Sequence, residues 1–149
     1  MIRKAKIKDI KQIQELIGCF ARMDVMLPRS LNELYENIRD FWVYEDKGKL
    51  IGCAALHISW DDLAEIKSLA VAKNKQGKGI GRDLATACLA EAKVMGAKKI
   101  FVLTYKPEFF KKLGFKRIKQ SDLPHKIWAE CINCSKFPNC REIPLLKIL

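Results

Sequence analysis

Apolar residues at Ile7, Ile10, Ile13, Leu16, Ile17 and Phe20 recur at the spacing of one helix face, which predicts an amphipathic helix over 7–21. A short strand over Ile2 to Ala5 precedes it. "RMDVMLP" breaks the pattern and reads as a loop. Ser30 followed by Glu33 has the form of a capping box opening a second helix over 31–39. The period then changes from helical to alternating. "FWVYE" and "LIGCAALHI" flank Asp46-Lys47-Gly48 and predict a hairpin. "LAEIKSLAVA", 63–72, is a third long strand. From Gly79 a helix runs through "IGRDLATACLAEAKVM" and stops at Gly96, a residue suited to the left-handed helix end. "KKIFVLTY" is a strand, "PEFFKKL" a short helix ended by Gly114, and "FKRI" a strand start. Residues 124–141 look irregular, and "IPLLKIL" reads as a closing strand. The order is strand, two helices, three strands, helix, strand, helix, strand. That is a mixed α/β sheet in one domain over 1–149.

Composition changes this picture only in its charge. The chain has 149 residues, 49% hydrophobic, with Lys+Arg 28 against Asp+Glu 17, a formal net charge of +11. Such an excess suits an anionic partner or a lysine-rich solvated surface. The basic residues are spread along the chain, and no helix-turn-helix or zinc-finger spacing appears, which argues against nucleic-acid binding. The first twenty residues lack the apolar core of a signal peptide, and no stretch has the length of a membrane span. The expectation is a cytoplasmic protein with no membrane partner. Cys19, Cys53 and Cys88 lie in apolar surroundings and read as small core residues. His125, Cys131, Cys134 and Cys140 have the composition of a tetrahedral zinc set. Only one Cys-x-x-Cys spacing is present, so reduced thiols in a capping loop are preferred over zinc, with a redox pair third.

The chemistry concentrates in "QGKGIGR", 76–82, a bare turn between a strand and a helix N-terminus. The first amides of a helix have no internal acceptor and favour an anion. Glycines admit a ligand close to the backbone, and Lys75, Lys78 and Arg82 add charge. A Walker loop is absent, and a dinucleotide fingerprint fails because its last glycine position is Arg82. The bland alternative is a solvated basic turn. What fits is Gln76-x-x-Gly79-x-Gly81, which resembles the acyl-CoA motif of the GNAT N-acetyltransferases. "LAEIKSLAV" resembles that family's central strand, and "FFKKLGF" its later aromatic element. The resemblance runs from Ile2 to about Phe115.

That resemblance implies a mostly antiparallel sheet, flanked by helices, that splays between the strands at 63–72 and 98–104. It implies acetyl-CoA as co-substrate, with the pyrophosphate on the backbone of Gln76, Gly77, Lys78, Gly79, Ile80, Gly81 and Arg82. The pantetheine arm would pair with Leu69, Ala70 and Val71. Glu65 interrupts an apolar strand and matches the family's general base, against the alternative of a solvent-facing strand glutamate. The oxyanion donor would be the amide near Leu69. The family's frequent acid is a tyrosine where this chain has Phe110, so Tyr105 becomes the candidate, against a half-buried strand-end tyrosine. His57 reads as structural. "MLPRS", "GCAAL", "AEIKSLAV" and "VLT" together resemble the acetyltransferase domain of bacterial N-acetylglutamate synthases in their short form. This implies Arg29 as carboxylate ligand, with Ser30, Lys67 and Ser68 around the acceptor and Arg141 as a second carboxylate ligand. The leading expectation is therefore acetyl transfer to the α-amino group of L-glutamate, with a homodimer left open. The alternatives are another small amine, a protein N-terminus, or a non-catalytic acyl-CoA sensor.

Overall fold

The computed structural model describes residues 1–123 and 142–149. One sheet contains β1 (Ile2–Lys4), β2 (Phe41–Asp46), β3 (Lys49–Trp60), β4 (Leu63–Val71), β5 (Lys99–Thr104), β6 (Lys116–Arg117) and β7 (Ile143–Ile148). Its order is β1-β2-β3-β4-β5-β7-β6. Every neighbouring pair is antiparallel except β4 and β5. Parallel strands need a long crossover, and the helix α3 (Ile80–Val94) supplies it. The other helices are α1 (Ile10–Ala21), α2 (Leu31–Glu36) and α4 (Pro107–Lys111).

The sheet is covered on both faces. Ile10, Ile13 and Ile17 of α1 and Leu34 of α2 pack on Val43, Cys53 and Ala55. Leu84, Ala85 and Cys88 of α3 pack on the other face, against Ala54, Leu56 and Ile66. The small residues of "GCAAL" let α3 approach closely. A Cβ on Gly52 would stand 2.9 Å from Leu84 Cδ1 and 3.1 Å from Ile80 Cγ2.

Strands β4 and β5 part company early. Their registered pairs are Leu63–Lys99, Ala64–Ile100 and Glu65–Phe101, and they end there. Beyond that point β4 stays with β3 as far as Val71, while β5 stays with β7 as far as Thr104. The expected splay is therefore present. A bulge lies on the free side of it. Cys53 pairs with Ala70 and Ala55 with Lys67, so Ser68 and Leu69 oppose the single residue Ala54. Ser68 adopts a left-handed φ of 57°, uncommon for a residue with a side chain.

Local departures from the expected elements have local causes. The first helix begins as a 3-10 turn, Ile7–Asp9, and Ile7 is exposed rather than on the buried face. Asp9 is buried instead, at 2% exposure. It accepts two hydrogen bonds from Arg3, at 2.7 and 3.0 Å, and one from the Lys6 amide at 2.7 Å. Arg3 also donates from Nε to Glu45 at 2.9 Å, so one guanidinium joins β1, the start of α1 and the end of β2. The second helix stops at Glu36 and continues as a 3-10 turn, Ile38–Asp40. Only half of its capping box forms. Ser30 Oγ accepts from the Glu33 amide at 3.1 Å, but the Glu33 carboxylate turns to Arg29 at 3.6 Å. The hairpin turn places Lys47 and Gly48 at positive φ, 51° and 79°, as a two-residue connection requires. Gly96 has a φ of 92° just past α3, where the sequence placed the helix stop.

The Arg3 guanidinium holds the Asp9 carboxyl below its ordinary range, outweighing the opposing effect of burial. Its contribution to stability is then complete above the unfolded-state value of about 4 and drains away as the pH falls through the lower folded value. Asp9→Asn should lower unfolding free energy at pH 7 by roughly 1.5–3 kcal/mol, because it takes a buried, charge-assisted partner from a half-buried guanidinium that keeps only Glu45 as a charge partner. The gap between variant and wild type should narrow as acid approaches pH 2. Urea titrations across that range check both the size and the sign.

Candidate active site

The glycine turn is built from the end of β4 outward. After Val71 the chain makes a 3-10 turn over Lys73–Lys75 and reaches Gln76. The Gln76 side-chain amide donates to the Val71 carbonyl at 3.1 Å, which ties the loop to the strand end. Gly77 and Gly79 have left-handed φ values of 78° and 85°, and Gly79 is the N-cap of α3. Both glycines are needed for backbone conformation. Gly81 is different. It lies inside the helix, and a Cβ there would stand 3.5 Å from the Phe109 ring and 3.6 Å from Val71 Cγ2. The first-turn amides of α3 therefore open onto a surface kept bare by Gly81.

These residues line one end of a cleft of about 740 Å3. Its middle is the splay, with Leu69, Ala70 and Val71 on one wall and Val102, Leu103 and Thr104 on the other. Ser68 and Lys67 also line it. Glu65 lies at the apex, the last residue of β4 still registered with β5, and is only 7% exposed. Tyr105, half-buried, follows β5 on the opposite wall. The far end is closed by Phe20 at the end of α1, by the loop through Val25 and Met26, and by Arg29. Arg29 is a quarter exposed, ion-paired to Glu33. Glu33 lines the same wall. The cleft thus joins an anion-binding backbone, an extended slot between two strands, one carboxylate at the apex and one guanidinium beyond it.

Most of the sequence candidates come together here, and two do not. Ser30 is exposed, caps α2 with its hydroxyl and does not line the cleft. The Lys78 side chain is exposed and lies outside the lining, whereas Lys75 and Arg82 are part of it. Lys75 also pairs with Asp46 at 3.8 Å. His57 Nδ1 is 2.7 Å from Asp40 Oδ2 and does not line the cleft, in keeping with a structural place. His125, Cys131, Cys134, Cys140 and Arg141 fall outside the described residues, as does the irregular stretch 124–141. Among the described residues no cluster of three metal-ligating side chains occurs. No helix among them is long and apolar enough to cross a membrane.

Sequence reasoning missed Phe20, Val25, Glu33 and Phe109 as lining residues. Phe20 ends a helical stripe that reads wholly as core. Phe109 shares its helix with the buried Phe110, and their rings meet edge to face at 4.9 Å. Nothing in the spacing says that both rings reach the cleft while only Phe110 is buried in the core.

Residues 37–117 match the acetyltransferase (GNAT) domain family. An uncharacterized N-acetyltransferase of Chlorobaculum tepidum is 40% identical over 99% of this chain and 96% of its own length. An amino-acid acetyltransferase of Mycobacterium tuberculosis is 35% identical over 87% of this chain and 76% of its own. Among solved structures, a Mycobacterium tuberculosis protein in complex with CoA superposes with a TM-score of 0.88 at 30% identity, covering 100% of this chain and 99% of that one. The N-acetylglutamate synthase of Neisseria gonorrhoeae, complexed with coenzyme A and N-acetyl-glutamate, gives 0.92 at 29% identity. This chain spans 35% of that synthase. With the family match covering the glycine turn, the splay and the apex glutamate together, the chain belongs to the GNAT acetyltransferase family and is an acetyl-CoA-dependent N-acetyltransferase.

Proposed function

We propose that the acceptor is the α-amino group of L-glutamate and the product N-acetylglutamate, which places the enzyme at the entry to arginine synthesis in the cytoplasm. The observation that carries this reading is the single cleft that runs from the glycine turn past Glu65 to Arg29. It is supported by relatives named amino-acid acetyltransferase and by the likeness to a synthase solved with N-acetyl-glutamate.

An amine attacks a thioester only when neutral, and an amino acid arrives as its ammonium form. Glu65 is the carboxylate at the splay, positioned to take that proton directly or through water. As the nitrogen attacks, negative charge develops on the thioester oxygen, and the bulge at Ser68 and Leu69 offers backbone amide to it. The pantetheine arm lies along Leu69, Ala70 and Val71, and the pyrophosphate rests on the turn from Gln76 to Arg82, at the α3 N-terminus. Collapse of the adduct releases the CoA thiolate, which gains a proton from Tyr105 or from water. Arg29 holds an acceptor carboxylate in a two-point grip, exchanging Glu33 for the substrate. Lys67 and Ser68 line the acceptor end. Glu33 in the same wall supports a second reading, in which a neutral or cationic amine replaces glutamate.

Substitutions at three positions test the parts separately. Glu65→Gln keeps shape and removes basicity, so kcat at neutral pH should fall on the order of 100-fold or more. The deficit should shrink at high pH, where the free amine is abundant. Unchanged turnover at neutral pH would leave Glu65 as a strand residue only.

Arg29→Ala should raise KM for glutamate by roughly 10- to 100-fold, the weight of one charge-assisted contact, with CoA affinity nearly unchanged. Arg29→Lys should recover only part, since an ammonium lacks the planar fork. A wild type that acetylated polyamines or peptides but not glutamate would sink the acceptor assignment and leave the acetyltransferase intact.

Gly81→Asp puts a carboxylate in the first turn of α3, toward Val71 and Phe109, at a site with no unusual φ. The fold should survive, and CoA binding measured by calorimetry should weaken by about tenfold or more through repulsion and lost space. Undiminished affinity in the folded variant would move the pyrophosphate site elsewhere.

A further inference from the structure

The bulge in β4 is held from behind by a thiol. Cys53, on β3, is fully buried, and its Sγ donates to the Ser68 carbonyl at 3.4 Å. Burial pushes the thiol up to about 12, and the nearby Ala70 backbone offsets this only in part. The thiol therefore stays protonated and available as a donor at every working pH. One side chain thus meets the bulge from behind, donating to the residue before Leu69 and standing opposite the residue after it. A bulge interrupts the regular ladder, and its carbonyl and amide groups need partners from elsewhere. Ser68 is also in the left-handed region, which a residue with a side chain leaves readily unless its surroundings fix it. The opposing residue, Ala54, has no polar side-chain atom to help. Cys53 is small enough for the apolar layer beneath α1 and carries a side-chain donor that reaches the Ser68 carbonyl.

We propose that Cys53 is a positioning residue for acetyl transfer, fixing the Ser68–Leu69 bulge so that its backbone amide meets the thioester oxygen. The proposal rests on the reading above that this bulge faces the reacting acyl group; it does not depend on which amine accepts. The thiol touches neither substrate, and its effect passes through the backbone of residues 68–70. Binding of acceptor or of the CoA body does not need that orientation. The development of negative charge on the oxygen does, so the thiol acts on kcat.

The test compares Cys53→Ala with Cys53→Ser. The two side chains have nearly the same volume, so both leave a similar void, and only serine keeps a donor and acceptor. In full-length protein, Cys53→Ala should lower kcat per folded molecule about fivefold, the weight of one ordinary hydrogen bond, with both KM values nearly unchanged. Cys53→Ser should return kcat most of the way. Amide hydrogen exchange at Leu69 and Ala70 should be faster in the alanine variant than in the serine variant, with the β2–β3 amides alike in both. A purely structural role would lower thermal stability in both variants equally and leave kcat per folded molecule untouched; that result, or equal kcat loss in both, overturns the proposal. If the wild type acetylates an amine other than glutamate, the acceptor assignment fails and the comparison runs on that amine. If no amine is acetylated, the exchange rates decide: identical exchange at Leu69 and Ala70 in all three proteins overturns the claim that Cys53 holds the bulge.

Discussion

Strands β4 and β5 stay paired for only three residue pairs, while each keeps its other neighbour. β4 is registered with β3 to its last residue, and β5 is registered with β7 along its whole length. The parallel contact between them is the one the chain can release, and releasing it exposes two strand edges to one gap. Buried backbone amides and carbonyls need partners. An extended ligand with amides of its own can supply them, which is what a pantetheine arm is. The cleft is therefore a consequence of sheet order rather than a cavity carved from side chains. Its apex coincides with Glu65 because Glu65 is the last residue at which both strands are still together.

The two ends of the gap are finished by different devices. At one end, the carboxyl end of β4 leads through a fastened glutamine and two left-handed glycines into the N-terminus of α3. A strand, a bare turn and a helix start in that order give an anion several backbone donors and a favourable dipole at once. The net charge of +11 adds long-range attraction for a polyanion, and Lys75 and Arg82 line this end of the cleft. At the other end, α1 and α2 close the wall, and there an arginine is already engaged with a glutamate one turn on. An exposed pair of this kind is worth only about 0.3–0.5 kcal/mol. It holds Arg29 in place without competing strongly against an acceptor carboxylate.

What the sequence showed, and what it hid, follow from distance along the chain. The helix and strand order was legible because each element carries its own period, and the glycine turn was legible because its conformation demands glycine at Gly77 and Gly79. The hairpin turn and the stop at Gly96 were readable for the same reason. The buried Asp9 was not. It sits in a helical stripe beside Ile10, and its partner Arg3 belongs to a different element. The half-formed capping box is a similar case: Ser30 and Glu33 have the right spacing, but the carboxylate lies 3.6 Å from Arg29 instead of bonding back to the Ser30 amide. The bulge at Ser68 had no local signal at all. Serine is not a residue that announces a left-handed φ, and the partner of its carbonyl, Cys53, lies across the strand pair. Glu65 and Arg29 could be picked out singly, but only the sheet shows that they share a cleft.

The loss of a tyrosine at Phe110 has a structural counterpart. Phe110 is 5% exposed and meets Phe109 at 4.9 Å and Phe115 at 5.4 Å, both edge to face. Three rings interlocked in this way form an apolar plug under the end of the splay, and their geometry is favourable without any hydroxyl. Apolar packing there stabilises α4 against the sheet, but it removes a polar group from the leaving-thiolate end of the cleft. A thiolate can leave as the anion and take its proton afterwards, whereas the ammonium must lose its proton before it can attack, so departure asks less of an acid than proton removal asks of the base. The demand on Glu65 is strict, and the demand on a donor is loose. Tyr105 stands on the opposite wall after the last residue of β5, where the chain turns toward α4 and the Lys106 amide bonds Thr104 Oγ1 at 2.9 Å. That turn fixes the backbone beside Tyr105. In the proposed reaction a tyrosine held there serves a step that water also can serve, which is why the chain can give up the hydroxyl at Phe110 and keep the carboxylate at Glu65.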